Sequence, residues 1–237
     1  ATTYSVGGIF DLGNFKATLD YWNFDFQDPI TTDPEGGIIA TVAPGGVLNC
    51  ASPLISRITF TGACATANIA RVRTDTVNGA GVKTSGVDVL ADYTFDDFMG
   101  GSLTVGTSAT YVIEYATEAT EVDGVVVAPA FDAVGLLNYQ TTAYPLPQLK
   151  GSVYFEYNTG PHNLRLTVRY VDGYTDQRTA PFLASSYFQN IPVRTNIAAP
   201  IMAGKNIDST LTTDLTYRVF LPWDATATVS VDNMFDE

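Results

Sequence analysis

The sequence predicts an all-β fold, a transmembrane antiparallel up-and-down β-barrel, and three observations support this prediction. Apolar and polar residues alternate along many segments, as in strands whose two faces meet different surroundings. The connections between these segments are short and long in turn. Aromatic residues gather near both ends of the segments, on one face. This combination is typical of a barrel with tight periplasmic turns and long external loops.

The composition excludes several classes of protein. Of the 237 residues, 46% are apolar, 12% are aromatic and only 16% are charged, which excludes intrinsic disorder. The net charge of -13 argues against nucleic acid as a partner, because an acidic surface repels phosphate. The longest uncharged run, 36–56, contains prolines and glycines that a membrane-spanning helix would not tolerate. A membrane role therefore has to use strands.

Strand-like alternation is clearest in residues 102–115, where Leu103, Val105 and Tyr111 share one face and Thr104 and Ser108 the other. About eight such segments begin near Thr3, Phe15, Lys83, Ser102, Gln148, His162, Ile207 and Asp224. Short turns are predicted at 13–14, 96–101, 158–161 and 221–223, and long loops at 28–82, 117–147 and 172–206.

The aromatic residues of the apolar face form two bands. The lower band contains Phe10, Phe15, Tyr93, Phe95, Phe155, Tyr157 and Tyr217, and the upper band contains Tyr4, Tyr21, Tyr111, Tyr115 and Tyr170. Such bands suit the two interfaces of a bilayer. The strands of a soluble β-sandwich also alternate, but that fold gives no reason for aromatic bands on one face or for alternating loop lengths.

The polar face is rich in Thr, Ser and charged residues, which favours a wide, water-filled or plugged interior in which most charges are solvated and paired with one another. The second segment departs from the alternation, because Trp22, Phe24 and Phe26 fall on the face opposite Phe15 and Tyr21. A bulge near Tyr21 or Trp22 would explain this departure. A strand that continues beyond the bilayer would explain it equally well.

Several motifs, in order along the chain, resemble those of TonB-dependent outer-membrane receptors. The stretch from Leu19 to Ile30 is similar to the strand that enters a large external loop, and Lys83 to Tyr93 to the strand that returns from it. Val229 to Asp236 resembles the penultimate strand, with Met234 where leucine is commoner. The resemblance covers essentially the whole chain.

This resemblance implies a 22-stranded barrel around a plug, of which residues 1–237 would be the C-terminal portion. The plug, the TonB box that docks to TonB, the first strands and the closing strand are then expected outside this sequence. The implied function is uptake of a scarce ligand, a siderophore, cobalamin or an oligosaccharide, across the outer membrane of a Gram-negative bacterium. TonB, that ligand, membrane lipid and lipopolysaccharide are the implied partners.

Cys50 and Cys64 resemble the cysteine pair that many such receptors carry in this loop. In an oxidising compartment they are expected to form a disulfide. Two free buried thiols are the alternative.

Ligand contacts are expected on the long loops. Arg57, Arg71 and Arg73 could bind a carboxylate or phosphate of a ligand, bind lipopolysaccharide, or pair with Asp75, and pairing is the favoured interpretation. Aromatic side chains suited to sugars or aromatic chelators are also present in the loops, although each could instead pack against another loop. They are Tyr139, Tyr144, Tyr174, Phe182, Tyr187 and Phe188.

Catalysis finds no support in the sequence. The only histidine, His162, follows Pro161 in a predicted turn, and no catalytic triad, zinc motif or phosphate-binding loop is present. We therefore expect neither an enzyme nor a cofactor nor a metal site. Two other functions stay open, a complete eight-stranded barrel that acts as a structural anchor or adhesin, and a secreted β-sandwich that binds carbohydrate.

Overall fold

The computed structural model describes residues 1–138, 144–176 and 206–236. Eight strands form the main sheet, namely β1 (Thr2–Leu12), β2 (Phe15–Phe26), β7 (Val82–Phe98), β8 (Gly101–Thr117), β12 (Leu149–Thr159), β13 (His162–Val171), β16 (Thr210–Leu221) and β17 (Ala225–Val231). Each of them corresponds to one of the eight segments predicted from the sequence, so the all-β prediction is confirmed.

The remaining strands are short and lie in the long connections. They are β3 (Ile30–Thr32), β4 (Ile58–Phe60), β5 (Ile69–Val72), β6 (Thr76–Asn78), β9 (Thr120–Val122), β10 (Val125–Ala128), β11 (Phe131–Asp132), β14 (Tyr174–Thr175) and β15 (Asn206–Ile207). The described helices are α1 (Glu35–Val42) and two 3-10 turns, Ile55–Arg57 and Thr66–Asn68. No helix in the described ranges is both long enough and apolar enough to cross a membrane.

The main sheet is an antiparallel meander in the order β1-β2-β7-β8-β12-β13-β16-β17, with β11 added beside β8. Its two end strands, β1 and β17, do not pair with each other, so the sheet is open. A closed eight-stranded barrel was one alternative from the sequence, and this open sheet differs from it. It also differs from a sandwich, because the eight strands form one continuous sheet rather than two packed ones.

The strand register sorts the side chains of the sheet into an apolar face and a polar face. One apolar row crosses all eight strands, through Leu12, Phe15, Tyr93, Val105, Phe155, Leu166, Leu215 and Val231. The neighbouring row on the polar face runs through Lys16, Asp92, Gly106, Tyr154, Thr167 and Asp214. The apolar side chains are open to the surroundings, since Leu19 is 49% exposed and Phe155 is 41% exposed.

The predicted break in the second segment is not a bulge in β2. Its register against β1 and β7 is continuous from Phe15 to Phe26, so Trp22, Phe24 and Phe26 lie on the polar face of the sheet. We call these three residues the aromatic row. Of the two explanations left open by the sequence, the unbroken register excludes the bulge and agrees with a strand that continues past the apolar band.

The bulge lies instead in β8, at Ile113. Ser85 pairs with Glu114, whereas the next residue, Gly86, pairs with Val112, so Ile113 is the extra residue. The bulge exchanges the faces of all β8 residues that follow it.

This exchange corrects two sequence predictions. Tyr115 was predicted on the apolar face, but it pairs with Thr84 and so shares the face of the aromatic row. Glu114 was predicted on the polar face, but it joins the side of Lys83, and their charged groups are 2.9 Å apart. Near the long loops, therefore, the two faces of the sheet exchange their polarity.

Candidate ligand-binding region

Two of the long connections, within 28–81 and 118–128, lie at one end of the main sheet and pack against each other. Buried Ile38 and Val42 of α1 pack with Leu54 and Ile58 of the same connection and with Val122 of the next one. We call residues 28–81 together with residues 118–128 the loop cap. The core of the loop cap is built from two connections, so its loops form one folded unit.

Helix α1 was missed by the sequence analysis, and Gly37 explains both its weak signal and its position. Glycine disfavours helix, and no side chain caps the N-terminus of α1. A Cβ atom at residue 37 would lie 3.0 Å from the Val127 carbonyl oxygen and 3.1 Å from the Val127 Cβ atom. Gly37 therefore allows the helix to approach the β9–β10 hairpin closely.

Arg57 lies at the centre of the loop cap and is 5% exposed. Its Nε and Nη2 donate to the two carboxylate oxygens of Asp123, both at 2.7 Å. Its Nη1 donates to Asp33 and to Asp75, both at 2.8 Å. The Asp75 backbone N–H also donates to the Asp33 carboxylate, at 3.0 Å. One guanidinium thus joins three acidic residues from two connections.

Electrostatics favour the charged forms of Arg57 and Asp123. The hydrogen bonds from Arg57 hold the pKa of Asp123 below its ordinary value of 3.8. In return, the hydrogen bonds with Asp123 raise the pKa of Arg57, although burial opposes this effect. Because a buried guanidinium without partners would be costly, the three carboxylates together stabilise Arg57 in the loop cap.

Cys50 and Cys64 form a disulfide with their Cα atoms 6.2 Å apart. The expected pairing is confirmed. This bond closes the segment that contains Leu54, Arg57 and β4. The disulfide therefore supports the same part of the loop cap that supplies its core and its central cation.

The three candidate arginines lie in one connection but have different surroundings. Arg57 donates its hydrogen bonds to the three carboxylates described above and is buried. The Nε atom of Arg73 lies 3.7 Å from Asp75, and its side chain is 55% exposed. Arg71 is exposed in β5 and has no ion pair within 4.0 Å in the described part of the chain. A role of these residues in ligand binding stays a prediction, and Arg71 has the geometry most open to it.

The candidate aromatic residues are only partly described. Tyr144 is 70% exposed, and its carbonyl oxygen accepts a hydrogen bond from Asn138 Nδ2 at 3.0 Å. Tyr174 is half-buried in β14, where it pairs with Ile207 of β15. The other four, Tyr139, Phe182, Tyr187 and Phe188, lie outside the described residues. Their contribution to a site stays a prediction.

Paired charges also occupy the polar face of the main sheet. Arg165 lies 4.0 Å from the ring centre of Tyr154 and donates to Glu156 at 3.1 Å. Arg169 and Asp214 are 2.7 Å apart. Nearer the short turns, Lys16, Asp92 and Tyr154 help to line an open groove of about 330 Å³. These two ion pairs neutralise only part of the charge on the polar face, because Asp20, Asp88, Asp92, Lys150 and Arg218 form no ion pair within 4.0 Å in the described ranges.

The only histidine and the potential metal ligands were examined for catalytic arrangements. His162 Nδ1 is 2.7 Å from the Tyr217 hydroxyl, at the end of the sheet with the short turns. Among the residues that the structure describes, no group of three or more His, Cys, Asp or Glu side chains could hold a metal ion. The described structure is thus one main sheet with two unpaired edge strands, β1 and β17, and with the loop cap at one end.

An open antiparallel meander with long connections at one end and short turns at the other is the architecture of part of an up-and-down β-barrel. A family model described as TonB dependent receptor-like, beta-barrel matches residues 1–234, and the chain belongs to this family. It is a family of receptors and not of enzymes. The resemblance found in the sequence motifs is therefore confirmed. A comparison with curated proteins finds no match.

Solved structures show the same fold at low sequence identity. The chain is similar to the FrpB iron transporter from Neisseria meningitidis (F3-3 variant), with a TM-score of 0.54, 12% identity and coverage of 99% of this chain and 27% of that chain. It is also similar to a mutant ferric enterobactin receptor, PfeA, from Pseudomonas aeruginosa, with a TM-score of 0.55, 12% identity and coverage of 99% and 25%.

A further mutant of PfeA, in complex with enterobactin, has a TM-score of 0.55 and 10% identity over 99% of this chain and 26% of its own. The chain thus spans about a quarter of the length of the solved structures that it matches. Both matched proteins are named for iron transport or ferric enterobactin.

Proposed function

We propose that this chain is the C-terminal part of the barrel of a TonB-dependent receptor in the outer membrane of a Gram-negative bacterium. The receptor would take up a scarce nutrient into the periplasm, with siderophores, cobalamin and oligosaccharides as the candidate classes. The open edges of β1 and β17 would pair with further strands of the same protein and close a barrel of 22 strands. The plug and the TonB box would come from segments outside these residues.

One observation carries the proposal. An apolar row crosses all eight strands of a single-layer sheet, and five of its eight side chains are exposed, those of Leu12, Phe15, Tyr93, Phe155 and Val231. Exposure of so large an apolar face to water is unfavourable, whereas contact of this face with hydrocarbon is favourable. Membrane lipid and lipopolysaccharide would cover this face, while the polar face would line the lumen. The loop cap would lie outside the cell and contribute to the capture of the ligand.

Uptake in intact cells tests the proposal. The full-length receptor is expressed in a strain that lacks its own receptors for ferric enterobactin, cobalamin and maltoheptaose, with TonB present or deleted. We expect accumulation of at least one labelled probe, and loss of that accumulation when TonB is deleted. The same strain that expresses a general porin instead of the receptor is the control for passive diffusion of the probes. Uptake that is unchanged without TonB would contradict the proposal, as would recovery of the receptor in the soluble fraction.

A further inference from the structure

The aromatic row lies on the face of the sheet that would line the lumen of the proposed barrel, away from lipid. Trp22, Phe24 and Phe26 share the polar face of β2 with Lys16 and Thr18, as the continuous register requires. Phe24 is nevertheless 38% exposed, and Phe26 is 43% exposed. Large aromatic side chains on the polar face of a sheet are not explained by the membrane. They are expected where a ligand with an apolar surface packs.

The rings of the aromatic row are held in place by the backbone beneath them. A Cβ atom at Gly86 would collide with the Trp22 ring, so the indole lies directly over this glycine. The ring centres of Trp22 and Phe24 are 5.7 Å apart. Those of Phe24 and Phe26 are 6.2 Å apart, and their planes differ by only 4°. Such an arrangement offers a preorganised surface along one strand.

The direct cross-strand neighbours of the aromatic row carry hydroxyl groups, and the acidic pair Asp20 and Asp88 lies two residues further along the same face. Directly opposite the row on β1 lie Thr3 and Ser5, and on β7 lies Thr84, which in turn pairs with Tyr115 of β8. Tyr115 reaches this face because of the bulge at Ile113. The site therefore combines aromatic rings with hydroxyl donors and acceptors.

The charges beside the aromatic row disfavour an anionic ligand. Lys83, the basic residue closest in sequence to Thr84, lies on the opposite face of the sheet and pairs with Glu114 at 2.9 Å. In the described strands, the register rows of the aromatic row contain no Lys or Arg, and the carboxylates of Asp20 and Asp88 on the same face would repel an anionic iron chelate. A neutral ligand meets neither obstacle.

From this composition we infer that the aromatic row is a binding site for a neutral oligosaccharide. Sugar rings present C–H faces that pack on aromatic rings, and their hydroxyl groups exchange hydrogen bonds with Thr and Ser. The inference rests on the proposed uptake function and names the substrate class within it. The row lies beside the loop cap, at the end of the sheet where a ligand would enter the lumen.

Binding to the full-length receptor in detergent tests the inference. The probes are maltoheptaose, cellohexaose, xylohexaose and dextran oligomers, with ferric enterobactin as the anionic comparison, and affinity is measured by calorimetry. We expect at least one neutral oligosaccharide to bind. The Phe24→Ala/Phe26→Ala variant is expected to weaken this binding about tenfold to a hundredfold. The matched control is Phe15→Ala, on the same strand and also partly exposed but on the apolar face.

Each outcome has a distinct meaning. Binding of none of the neutral probes, or binding unchanged in the double variant, would overturn the inference, because the row would then serve only to pack against other segments of the receptor. Heat-dependent gel mobility shows that each variant is folded. If TonB-dependent uptake persists while the row variants bind normally, only this inference fails. If the row binds sugar while uptake ignores TonB, only the proposed transport function fails.

Discussion

The guanidinium of Arg57 and the carboxylate of Asp123 face each other through two parallel hydrogen bonds of 2.7 Å, although 66 residues separate them in the chain. They belong to different connections of the main sheet. The pair therefore joins two loops that the sequence presents as independent. Bidentate pairing of this kind fixes orientation as well as distance.

Replacing Asp123 by Asn should loosen the β9–β10 hairpin from the rest of the loop cap. The amide retains the shape of the side chain but loses its charge and one acceptor. We expect hydrogen exchange of the hairpin amides to become about tenfold faster. Glu121→Gln is the matched control, because Glu121 lies exposed in the same hairpin and has no ion pair within 4.0 Å in the described ranges. Equal exchange rates in the two variants would contradict the role assigned to Asp123.

Acid should weaken the same contact in a defined direction. The folded pKa of Asp123 is lowered from 3.8, so its contribution to stability is fully present above that value and is lost as the pH falls through the lowered pKa. Protection of the hairpin, corrected for intrinsic exchange, should thus be constant from about pH 7 to 5 and decrease below about pH 4. The component due to Asp123 should be missing in Asp123→Asn. A decrease that begins near pH 6 would point to another group.

Loss of the Cys50–Cys64 disulfide should disorder part of the loop cap. A bond that closes a loop of this size contributes about 3 kcal/mol by the chain-entropy argument. In the Cys50→Ser/Cys64→Ser variant we expect rapid proteolysis between residues 50 and 64, while the barrel stays intact. Reductant should have the same effect on the wild type and none on the double variant. Proteolysis of the wild type that is insensitive to reductant would show that the core and Arg57 suffice.

Substitutions on neighbouring residues of β2 should separate the two faces of the sheet. Leu19 lies on the apolar face and Thr18 on the polar face. Leu19→Arg places a charge in hydrocarbon and is expected to cost about 2–4 kcal/mol if residue 19 lies near the middle of the bilayer. Thr18→Arg, the control, should cost far less. Folding titrations of the full-length receptor into lipid vesicles measure both, and equal costs would contradict burial of the apolar face in lipid.

Gly106 should tolerate no side chain. A Cβ atom at this position would collide with the Tyr154 ring, which in turn lies against Arg165. Gly106→Val should therefore displace Tyr154 and destabilise the barrel by about 1–3 kcal/mol in urea titrations. Gly8→Ala, in β1 of the same sheet, is the comparison, because its Cβ atom would meet only the Phe10 ring, at 3.4 Å. A neutral Gly106→Val variant would mean that Tyr154 can move without cost.

The main sheet could be predicted from the sequence because alternation is a local property of the chain. Phe15 and His162 begin β2 and β13 where the pattern places them. The bulge at Ile113 could not be predicted, since Tyr111, Ile113 and Tyr115 continue the apolar alternation without a break. Only pairing with β7 reveals the extra residue. Tyr115 was placed on the wrong face for this reason.

The loop cap was predicted as loop because its order depends on distant partners. Helix α1 has two glycines and no capping side chain, and it is ordered by packing against a hairpin far along the chain. Arg57 stood out in the sequence as one cation in an acidic protein, but its partners Asp33 and Asp123 could not be identified from spacing. Pairing with Asp75 was the one contact that proximity in the sequence made visible.

The shared core of the loop cap constrains recombination between receptor genes and the engineering of new receptors. In a chimera that exchanges only residues 28–81 with a distant homologue, Val122 would lose the side chains it packs against in that segment. Asp123 would lose its ion pair with Arg57. Recombination that separates the two loops would therefore be penalised even if each half came from a working receptor. Grafting of new specificity onto this scaffold should treat both loops as a single cassette.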